Sequence, residues 1–172
     1  MRAVTRYARL ATPIGDLVLS GNGALAGVWF DPHRGASPVG DGWNRDDDAF
    51  VDAAEQLGEF LAGERRSFDL DLRPVGTPFQ RRVWTALCEI PYAETRTYAQ
   101  LAALLDTSAR AVGHANARNP LSIVVPCHRV VGSAGLTGYA GGLDRKRWLL
   151  DLEMAHVAPT EYRRRFKSAV AS

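Results

Sequence analysis

Signals for the start of a helix recur three times between residues 77 and 117, and they constrain the fold of this part of the chain most strongly. Thr77-Pro78 supplies an N-cap and a proline at the first helical position. Thr97 and Gln100 form a capping box. Asp106-Thr107-Ser108 then ends that helix and caps the next one, which runs from Ala109 to about Ala117. Two short helices joined by a tight turn are typical of a helix-turn-helix.

The second helix of this pair has an unusual composition. Arg110 is its only basic residue before Arg118, and most of its other residues are small: Ala109, Ala111, Val112, Gly113, Ala115 and Ala117. In a helix-turn-helix the second helix enters a groove of DNA, but small side chains read few base edges. The alternative is a packed helical hairpin without a ligand, and such hairpins are commoner.

The first 72 residues predict a small α+β unit with an antiparallel sheet. Hairpin chemistry, an acidic helix start, a glycine helix end and an alternating apolar pattern support it. The predicted elements are a strand at Leu17–Ser20, a turn at Asn22-Gly23, a strand at Leu25–Phe30, a loop at Pro32–Arg45, a helix between Asp46-Asp47-Asp48 and Gly63, and a strand at Ser67–Leu72. We find no chemistry in this unit, and we expect its one histidine, His33, to be a solvated loop residue.

Charge and pattern both change after residue 72. The first 72 residues carry a net charge of −5, whereas the remainder carries +7. We therefore predict a linker at 73–76, a mostly helical second unit at 77–155 and a basic tail at 156–172. A basic half favours a polyanionic partner. The arginine run in the tail is better explained as a solvated chain end.

Length and composition exclude several classes of protein. The 172 residues are enough for a hydrophobic core, and no apolar run is long enough for a transmembrane helix. Met1 to Gly21 lacks the apolar region of a secretory signal. The two cysteines, Cys88 and Cys127, lie in no CxxC pair, and no HExxH is present, so the sequence predicts no metal site. Two cysteines without a signal peptide favour the cytoplasm.

The candidate reactive segment runs from Ile123 to Val131. Its β-branched residues predict a buried extended stretch that stops at Pro126. Cys127 comes next, followed by His128 and Arg129, and neighbouring cations lower the pKa of a thiol. The alternative is that Cys127 is a small buried apolar residue. We expect Cys88, beside the apolar stripe of the first of the three helices, to be inert core.

A glycine-rich loop and a final helix follow the cysteine segment. Gly132 to Gly142 predicts a flexible loop enclosing Tyr139. Leu143 to Met154 predicts an amphipathic helix with Trp148, Leu149 and Leu152 facing inward. Glu153 on this helix either docks on an imidazole or is a solvated residue near the helix end.

Several separated motifs resemble the O6-alkylguanine-DNA alkyltransferases, the methylated-DNA–protein-cysteine methyltransferase family. They appear in the right order between about residues 7 and 155: Thr12-Pro13-Ile14-Gly15, Thr77-Pro78-Phe79-Gln80, Arg110-Ala111-Val112-Gly113, Asn119-Pro120, Pro126-Cys127-His128-Arg129-Val130, Thr137-Gly138-Tyr139-Ala140-Gly141-Gly142 and Leu149-Leu150-Asp151-Leu152-Glu153. Small departures stand at Ala99, Ala117 and Ala140. The zinc-binding residues of some relatives have no counterpart, and neither do the extra domains fused to others.

The resemblance implies irreversible, single-turnover repair of O6-alkylguanine in DNA, and leaves O4-alkylthymine open as a further substrate. Cys127 would accept the alkyl group. His128 would take the thiol proton, through a water if the two side chains point to opposite faces of an extended segment, and Glu153 would orient the imidazole. Tyr98 would donate a proton or hydrogen bond to the leaving guanine.

The resemblance also implies how the lesion is bound. The carbonyls of Cys127 and Val130 and the N–H of Ala140 would contact a base turned out of the duplex. Arg110 would fill the vacated space, and Asn119 would hold the turn before the cysteine segment. Ala111, Gly113 and Tyr139 complete the set of DNA- and substrate-binding residues. The partner is alkylated double-stranded DNA approached from the minor groove, with no cofactor. The free protein would be a monomer, and cooperative assembly on DNA is left open.

Two other functions compete with repair. A Cys–His hydrolase would use the same two side chains, but no oxyanion-hole motif is evident and the helix-turn-helix would have no role. A non-catalytic lesion-binding protein would keep the DNA contacts without the transfer, and the intact Cys127 argues against it.

Overall fold

The Asn22-Gly23 turn forms as predicted and builds the N-terminal sheet. In this computed structural model, which describes residues 4–157, Gly23 adopts a left-handed φ of +83° and joins two antiparallel strands. The four strands are β1 Arg6–Leu10, β2 Leu17–Asn22, β3 Ala24–Phe30 and β4 Asn44–Arg45. Their order is β3-β2-β1-β4, with β4 parallel to β1 and the other pairs antiparallel. β3 is therefore an edge strand of this sheet.

The acidic triplet that we placed at a helix start lies ahead of the helix. Helix α1 spans Val51–Leu61, and Gly63 follows its end with φ +79°, as predicted. Asp46 instead forms an ion pair with Arg6 at 3.1 Å, next to the short β4 that the sequence did not predict. Long-range ion pairing therefore outweighed the local preference of these carboxylates for a helix N-terminus.

The prediction of a strand at Ser67–Leu72 was wrong. Only Leu72 forms an isolated bridge, with Leu25 of β3, and Leu25 N–H donates to Asp71 O at 2.9 Å. The rest of that edge is taken by another segment, because Val28 N–H donates to Pro120 O at 2.8 Å and Ser122 N–H donates to Val28 O at 3.1 Å. The N-terminal sheet thus supports the chain directly before Cys127.

The predicted helix starts are confirmed in the second half of the chain. Thr77 and Thr97 each form a complete capping box, with Gln80 and Gln100 respectively, and the Ser108 hydroxyl accepts from Ala111 N–H. The elements are α2 Pro78–Cys88, β5 Arg96–Thr97, α3 Tyr98–Leu105, α4 Ala109–Ala117, β6 Val130–Val131 and α5 Leu143–Ala155. β5 and β6 pair in parallel. Helices α3 and α4 form the predicted helix-turn-helix, so the α+β fold class is confirmed.

The hydrophobic core continues across both halves of the chain. It includes Leu17 and Phe60 from the first half and Val83 and Leu149 from the second, all buried. The division into units at residues 72 and 77 stays a prediction. Among residues 4–157, no helix has the length and apolar character needed to cross a bilayer. Most of the predicted tail, from residue 158 on, lies outside the described residues.

Two predictions about exposure were wrong. Cys88 is exposed at the end of α2 and is not inert core. His33 is half-buried and packs edge-on against Trp29, with 5.1 Å between ring centroids. Each of these depends on which neighbouring element covers the side chain, which local pattern does not specify.

Candidate functional site

Cys127 lies on a turn rather than on the extended segment that we predicted. Residues 122–124 form a turn, and Cys127–Arg129 form one turn of 3₁₀ helix. The run of β-branched residues predicted burial correctly, but Ile123 adopts a left-handed φ of +72° that such residues rarely take. The argument that Cys127 and His128 point to opposite faces therefore loses its basis.

Asn119 braces this strained turn. Its buried side chain donates to Val125 O at 2.9 Å and to Leu121 O at 3.4 Å, and it accepts from Leu121 N–H at 2.9 Å. A positive φ at a β-branched residue costs on the order of 1–3 kcal/mol and persists only where the surrounding structure enforces it. The Asn119 amide enforces it here, because it bonds to Leu121 before Ile123 and to Val125 after it.

Cys127 lines a cavity of about 230 Å³. Six of the residues predicted for the site border it: Tyr98, Gly113, Asn119, Cys127, Tyr139 and Ala140. Arg34, Asn116, Ala117, Ser122 and Gly138 complete the lining. The cavity therefore lies between the start of α3, the small residues of α4, the cysteine turn and the glycine-rich loop.

His128, which follows Cys127 in the chain, forms a buried pair with Glu153. His128 Nε2 lies 2.7 Å from Glu153 Oε1, and both side chains are fully buried. Burial lowers the pKa of His128, and the nearby carboxylate does not cancel this effect. A neutral imidazole that donates from Nε2 leaves Nδ1 unprotonated. Within residues 4–157 this Nδ1 is buried without a hydrogen-bond partner, so it is free to accept a proton.

Arg129 holds Glu153 rather than standing beside the sulfur. Its Nε and Nη2 atoms lie 3.0 to 3.1 Å from the two carboxylate oxygens, and Ala93 N–H donates to Oε2 at 2.9 Å. Burial alone would raise the pKa of Glu153, but hydrogen bonds from His128 and Arg129 outweigh burial and leave this pKa below its ordinary value. The carboxylate is thus ionised and fixed in place.

The thiol itself needs a proton acceptor before it can react. Burial raises the pKa of Cys127, while Asn119, Lys146 and Tyr139 oppose that rise only in part. The neighbouring cations that we expected to lower this pKa do not prevail, because Arg129 is committed to Glu153. A thiolate is the nucleophilic form of cysteine, so the thiol must lose its proton, and the free Nδ1 of His128 is the candidate acceptor.

Lys146 is a buried cation that the sequence analysis missed. Its Nζ donates to Thr137 O at 2.8 Å and Gly138 O at 3.3 Å, and also to Val130 O. Burial lowers the pKa of Lys146 to about 8. The lysine fastens the glycine-rich loop to β6, and no local signal distinguishes it from other helical lysines.

Two tyrosines, Tyr98 and Tyr139, border the cavity. Burial raises the pKa of Tyr98, and the charge of Cys127 adds to this rise. Burial likewise raises the pKa of Tyr139 well above its ordinary value. The hydroxyl of Tyr139 is buried and has no hydrogen-bond partner in the described part of the chain. Both phenols therefore remain protonated and can donate a hydrogen bond.

Besides His128 and Glu153, three predicted site residues lie outside the cavity lining. Arg110 is exposed in the first turn of α4, and Ala111 follows it. Val130 is fully buried, and its carbonyl already accepts from Lys146. Arg110 and Ala111 therefore lie on the helix-turn-helix rather than in the thiol cavity.

Arg34 borders the cavity although it belongs to the N-terminal unit, where we found no chemistry. It occupies a tight turn in which His33 and Ala36 exchange backbone hydrogen bonds of 2.7 and 3.1 Å. Its φ is +51°, and Nη2 donates to Ala117 O at 2.8 Å, at the end of α4. No sequence signal marks it, because its position depends on a contact 83 residues away.

Asn116 is a second cavity residue that sequence reasoning missed. Its side chain is 6% exposed, and Oδ1 finds no hydrogen-bond partner among the residues described. A buried polar atom without a partner is rare in folded proteins. The asparagine sits within a run of small residues, so only the structure reveals that it faces the cavity. No cluster of three or more metal-ligating side chains occurs within residues 4–157.

The fold and the site together define a class of protein in which a cavity that contains a cysteine thiol lies beside a helix-turn-helix. The family model for the 6-O-methylguanine DNA methyltransferase DNA-binding domain matches residues 78–155. A methylated-DNA–protein-cysteine methyltransferase of Mycolicibacterium paratuberculosis is 48% identical over 153 residues, which cover 87% of this chain and 93% of the relative. Its namesake in Methanosarcina acetivorans is 49% identical, over 86% of this chain and 97% of the relative.

Solved structures agree with these relatives. The crystal structure of Mycobacterium tuberculosis O6-methylguanine methyltransferase has a TM-score of 0.84 and 44% identity, covering 91% of this chain and 96% of that one. A structure of Mycobacterium tuberculosis OGT in complex with DNA has a TM-score of 0.83 at 44% identity, covering 88% and 94%. The chain belongs to the methylated-DNA–protein-cysteine methyltransferase family.

Proposed function

We propose that this protein repairs alkylated DNA by transferring the alkyl group of O6-alkylguanine to the sulfur of Cys127. One observation carries the proposal: Cys127 lines a cavity that also contains Tyr98, and the next residue in the chain, His128, forms a buried pair with Glu153. The names of the relatives and the DNA complex of a similar protein agree with this activity.

The transfer begins with proton removal from the thiol. His128 Nδ1 accepts this proton, and Glu153 stabilises the resulting imidazolium through Nε2. The thiolate then attacks the alkyl carbon, so that an S–C bond forms as the C–O6 bond breaks. The departing guanine carries negative charge, which the protonated Tyr98 hydroxyl stabilises by donating a hydrogen bond or a proton.

The polar atoms without partners supply the base contacts. Asn116 Oδ1 and Tyr139 Oη are buried at the cavity and unpaired in the described residues, so a polar base edge that satisfies them is favoured. The backbone N–H of Ala140 and the carbonyl of Cys127 add to these contacts. A guanine turned out of the duplex is the ligand that this set would accept.

The helix-turn-helix contacts the duplex through its minor groove. Gly113 and Ala111 allow α4 to approach the backbone closely, and Arg110 enters the space that the extrahelical base leaves. Arg34 contributes a phosphate contact from the N-terminal unit, because its guanidinium is exposed beside the cavity and is oriented by the Ala117 carbonyl.

The thioether product cannot be hydrolysed in the site, so each molecule acts once. We further propose that the free protein is a monomer. We also propose that it is located in the cytoplasm, because its two free cysteines suit a reducing compartment. Cooperative assembly on DNA is a separate proposal that its binding isotherms would test.

The test is an intact-mass measurement after incubation with excess O6-methylguanine duplex. The wild type should gain one methyl group, located on Cys127 by peptide mapping, and then stop. Cys127→Ser should gain none, whereas the matched control Cys88→Ser should behave as wild type. Continued turnover would indicate a hydrolase, and lesion binding without methylation would indicate a binding protein; either result would refute the proposal.

A further inference from the structure

The glycine-rich loop that lines the cavity is held from the N-terminal sheet. Building on the proposed function, we infer that Arg145 is a positioning residue that fixes Tyr139 and Ala140 for the reaction. Arg145 stands in the first turn of α5 and reaches back across the molecule. Its Nε donates to Ile14 O at 2.6 Å, and its Nη1 donates to Gly141 O at 3.1 Å. One guanidinium thus ties the loop to the turn between β1 and β2.

The guanidinium also stacks on a rigid side chain. The Cζ atom of Arg145 lies 4.5 Å from the centroid of the Phe30 ring, and Phe30, at the end of β3, is 1% exposed. Such a cation–π contact strengthens when it is sheltered from water. The arginine therefore rests on the core of the N-terminal unit and is not an exposed, mobile side chain.

Gly141 shows how tightly the loop is pressed against this support. A Cβ atom at Gly141 would lie 2.7 Å from the Phe30 ring and 2.7 Å from the Tyr139 ring, so there is no room for a side chain. The two rings meet edge to face with 6.4 Å between centroids. Phe30 is buried in the core, so its contact limits where the Tyr139 ring can lie, and Tyr139 borders the same cavity as the Cys127 thiol.

The turn that receives the arginine is shaped for it. Gly15 has a φ of +108°, which disfavours any other residue, and a Cβ there would lie 2.5 Å from Arg145 Nη2. Thr12 braces the same turn by accepting from Ile14 N–H at 3.3 Å. The sequence assigns no chemistry to the Thr12-Pro13-Ile14-Gly15 motif. In the structure, this motif forms the turn that accepts the hydrogen bond from Arg145.

The loop needs external support because its own sequence does not order it. Glycines at 132, 135, 138, 141 and 142 leave the unfolded loop with large conformational entropy, which must be overcome for the cavity to form. Lys146 holds the middle of the loop, at Thr137 and Gly138, and Arg145 holds its end, at Gly141. Two consecutive residues of α5 thus hold different parts of the loop.

The experiment compares single-turnover methyl transfer from saturating O6-methylguanine duplex in wild type and Arg145→Gln. We expect the first-order transfer rate constant to fall about tenfold, the size of effect that loss of a charged hydrogen bond produces. The apparent Kd for unmodified duplex should stay within about twofold, because Arg145 lies outside the helix-turn-helix. Arg145→Lys should recover part of the rate, since a lysine can still donate to the Ile14 carbonyl. Arg147→Gln is the matched control, an exposed arginine on the same helix.

Two further measurements separate positioning from general stability. Alkylation of Cys127 by iodoacetamide, resolved from Cys88 by peptide mapping, should fall much less than methyl transfer in Arg145→Gln, because the thiol and His128 are intact and Tyr139 is only one of the groups that oppose the rise in the thiol pKa. Combining Arg145→Gln with Gly141→Ala should cost less than the product of the two single effects, because both displace the same loop.

The inference fails if Arg145→Gln transfers methyl groups as fast as Arg147→Gln. It also fails if the variant loses iodoacetamide reactivity in proportion to transfer, or if the double variant is strictly multiplicative. Failure of the proposed function is recognisable separately, because the wild-type protein itself would then leave Cys127 unmethylated.

Discussion

Replacing Glu153 by glutamine should both destabilise the fold and slow the reaction. The carboxylate accepts hydrogen bonds from His128, Arg129 and Ala93 in a fully buried position. A neutral amide has the same size but retains only one acceptor oxygen. One of the two side-chain partners, His128 or Arg129, is therefore left facing an N–H₂ group, and the Arg129 guanidinium loses its counterion.

The magnitude follows from that unpaired charge. Removing one partner of a buried ion pair costs about 3–5 kcal/mol, and the retained oxygen places Glu153→Gln near the lower end. For a protein of this size each kcal/mol lowers the Tm by about 2–4 °C, so we expect a fall of about 6–12 °C. The imidazole also loses the acceptor that fixes its Nε2–H tautomer, so transfer should slow by about 100-fold, the lower end for loss of general base catalysis.

Thermal unfolding and single-turnover methyl transfer measure the two effects, with the exposed Glu55→Gln as the matched control. The pKa of Glu153 is below its ordinary value, so its stabilisation is complete above the unfolded pKa of about 4.3 and is lost as pH falls through the folded pKa. The Tm gap between wild type and variant should therefore be full at neutral pH and shrink in acid. A Tm within about 2 °C of wild type at pH 7, with unchanged transfer, would refute the assignment of Glu153 as the buried support of His128.

Other expectations concern the lysine, the cavity arginine and a helix cap. Because burial lowers the pKa of Lys146 to about 8, the unfolded chain binds more protons above that pH, and urea titrations should show wild type gaining stability relative to Lys146→Met between pH 8 and 10. Arg34→Gln should weaken duplex binding and reduce the log–log salt slope by about 1, while reaction with the free base O6-benzylguanine, which has no phosphate, stays at the wild-type rate; an equal loss with the free base would contradict a phosphate contact. Thr97→Ala removes the cap of α3 and should cost about 1 kcal/mol in chemical denaturation, and no change would mean that Gln100 alone caps the helix.

Local chemistry predicted the helix starts well, because a cap is formed by residues close in sequence. Thr97 meets Gln100 three residues later, and the Asn22-Gly23 turn needs only the strands that flank it. Glu153 could be proposed as a partner for an imidazole because it falls at the inward side of the last helix. The structure then placed it 2.7 Å from His128.

The errors share a dependence on distant contacts. Ile123 belongs to a run that favours an extended strand, and the Asn119 amide bonds, together with pairing of the neighbouring segment to β3, hold it in a turn instead. Arg34 reaches the cavity only because α4 ends beside its loop. Cys88 was assigned to the core from its place next to an apolar stripe, but nothing covers that face among the described residues enough to bury it.

The Asn119 brace has a consequence for how substrate affinity is used. The segment that carries the nucleophile reaches its final shape through the protein's own hydrogen bonds, from Asn119 to Leu121 and Val125 and from Pro120 and Ser122 to Val28 of β3. The sulfur is thus preorganised before any duplex arrives, and no part of the energy of association is diverted to ordering it. That energy is left for the step in which a stacked base must leave its helix.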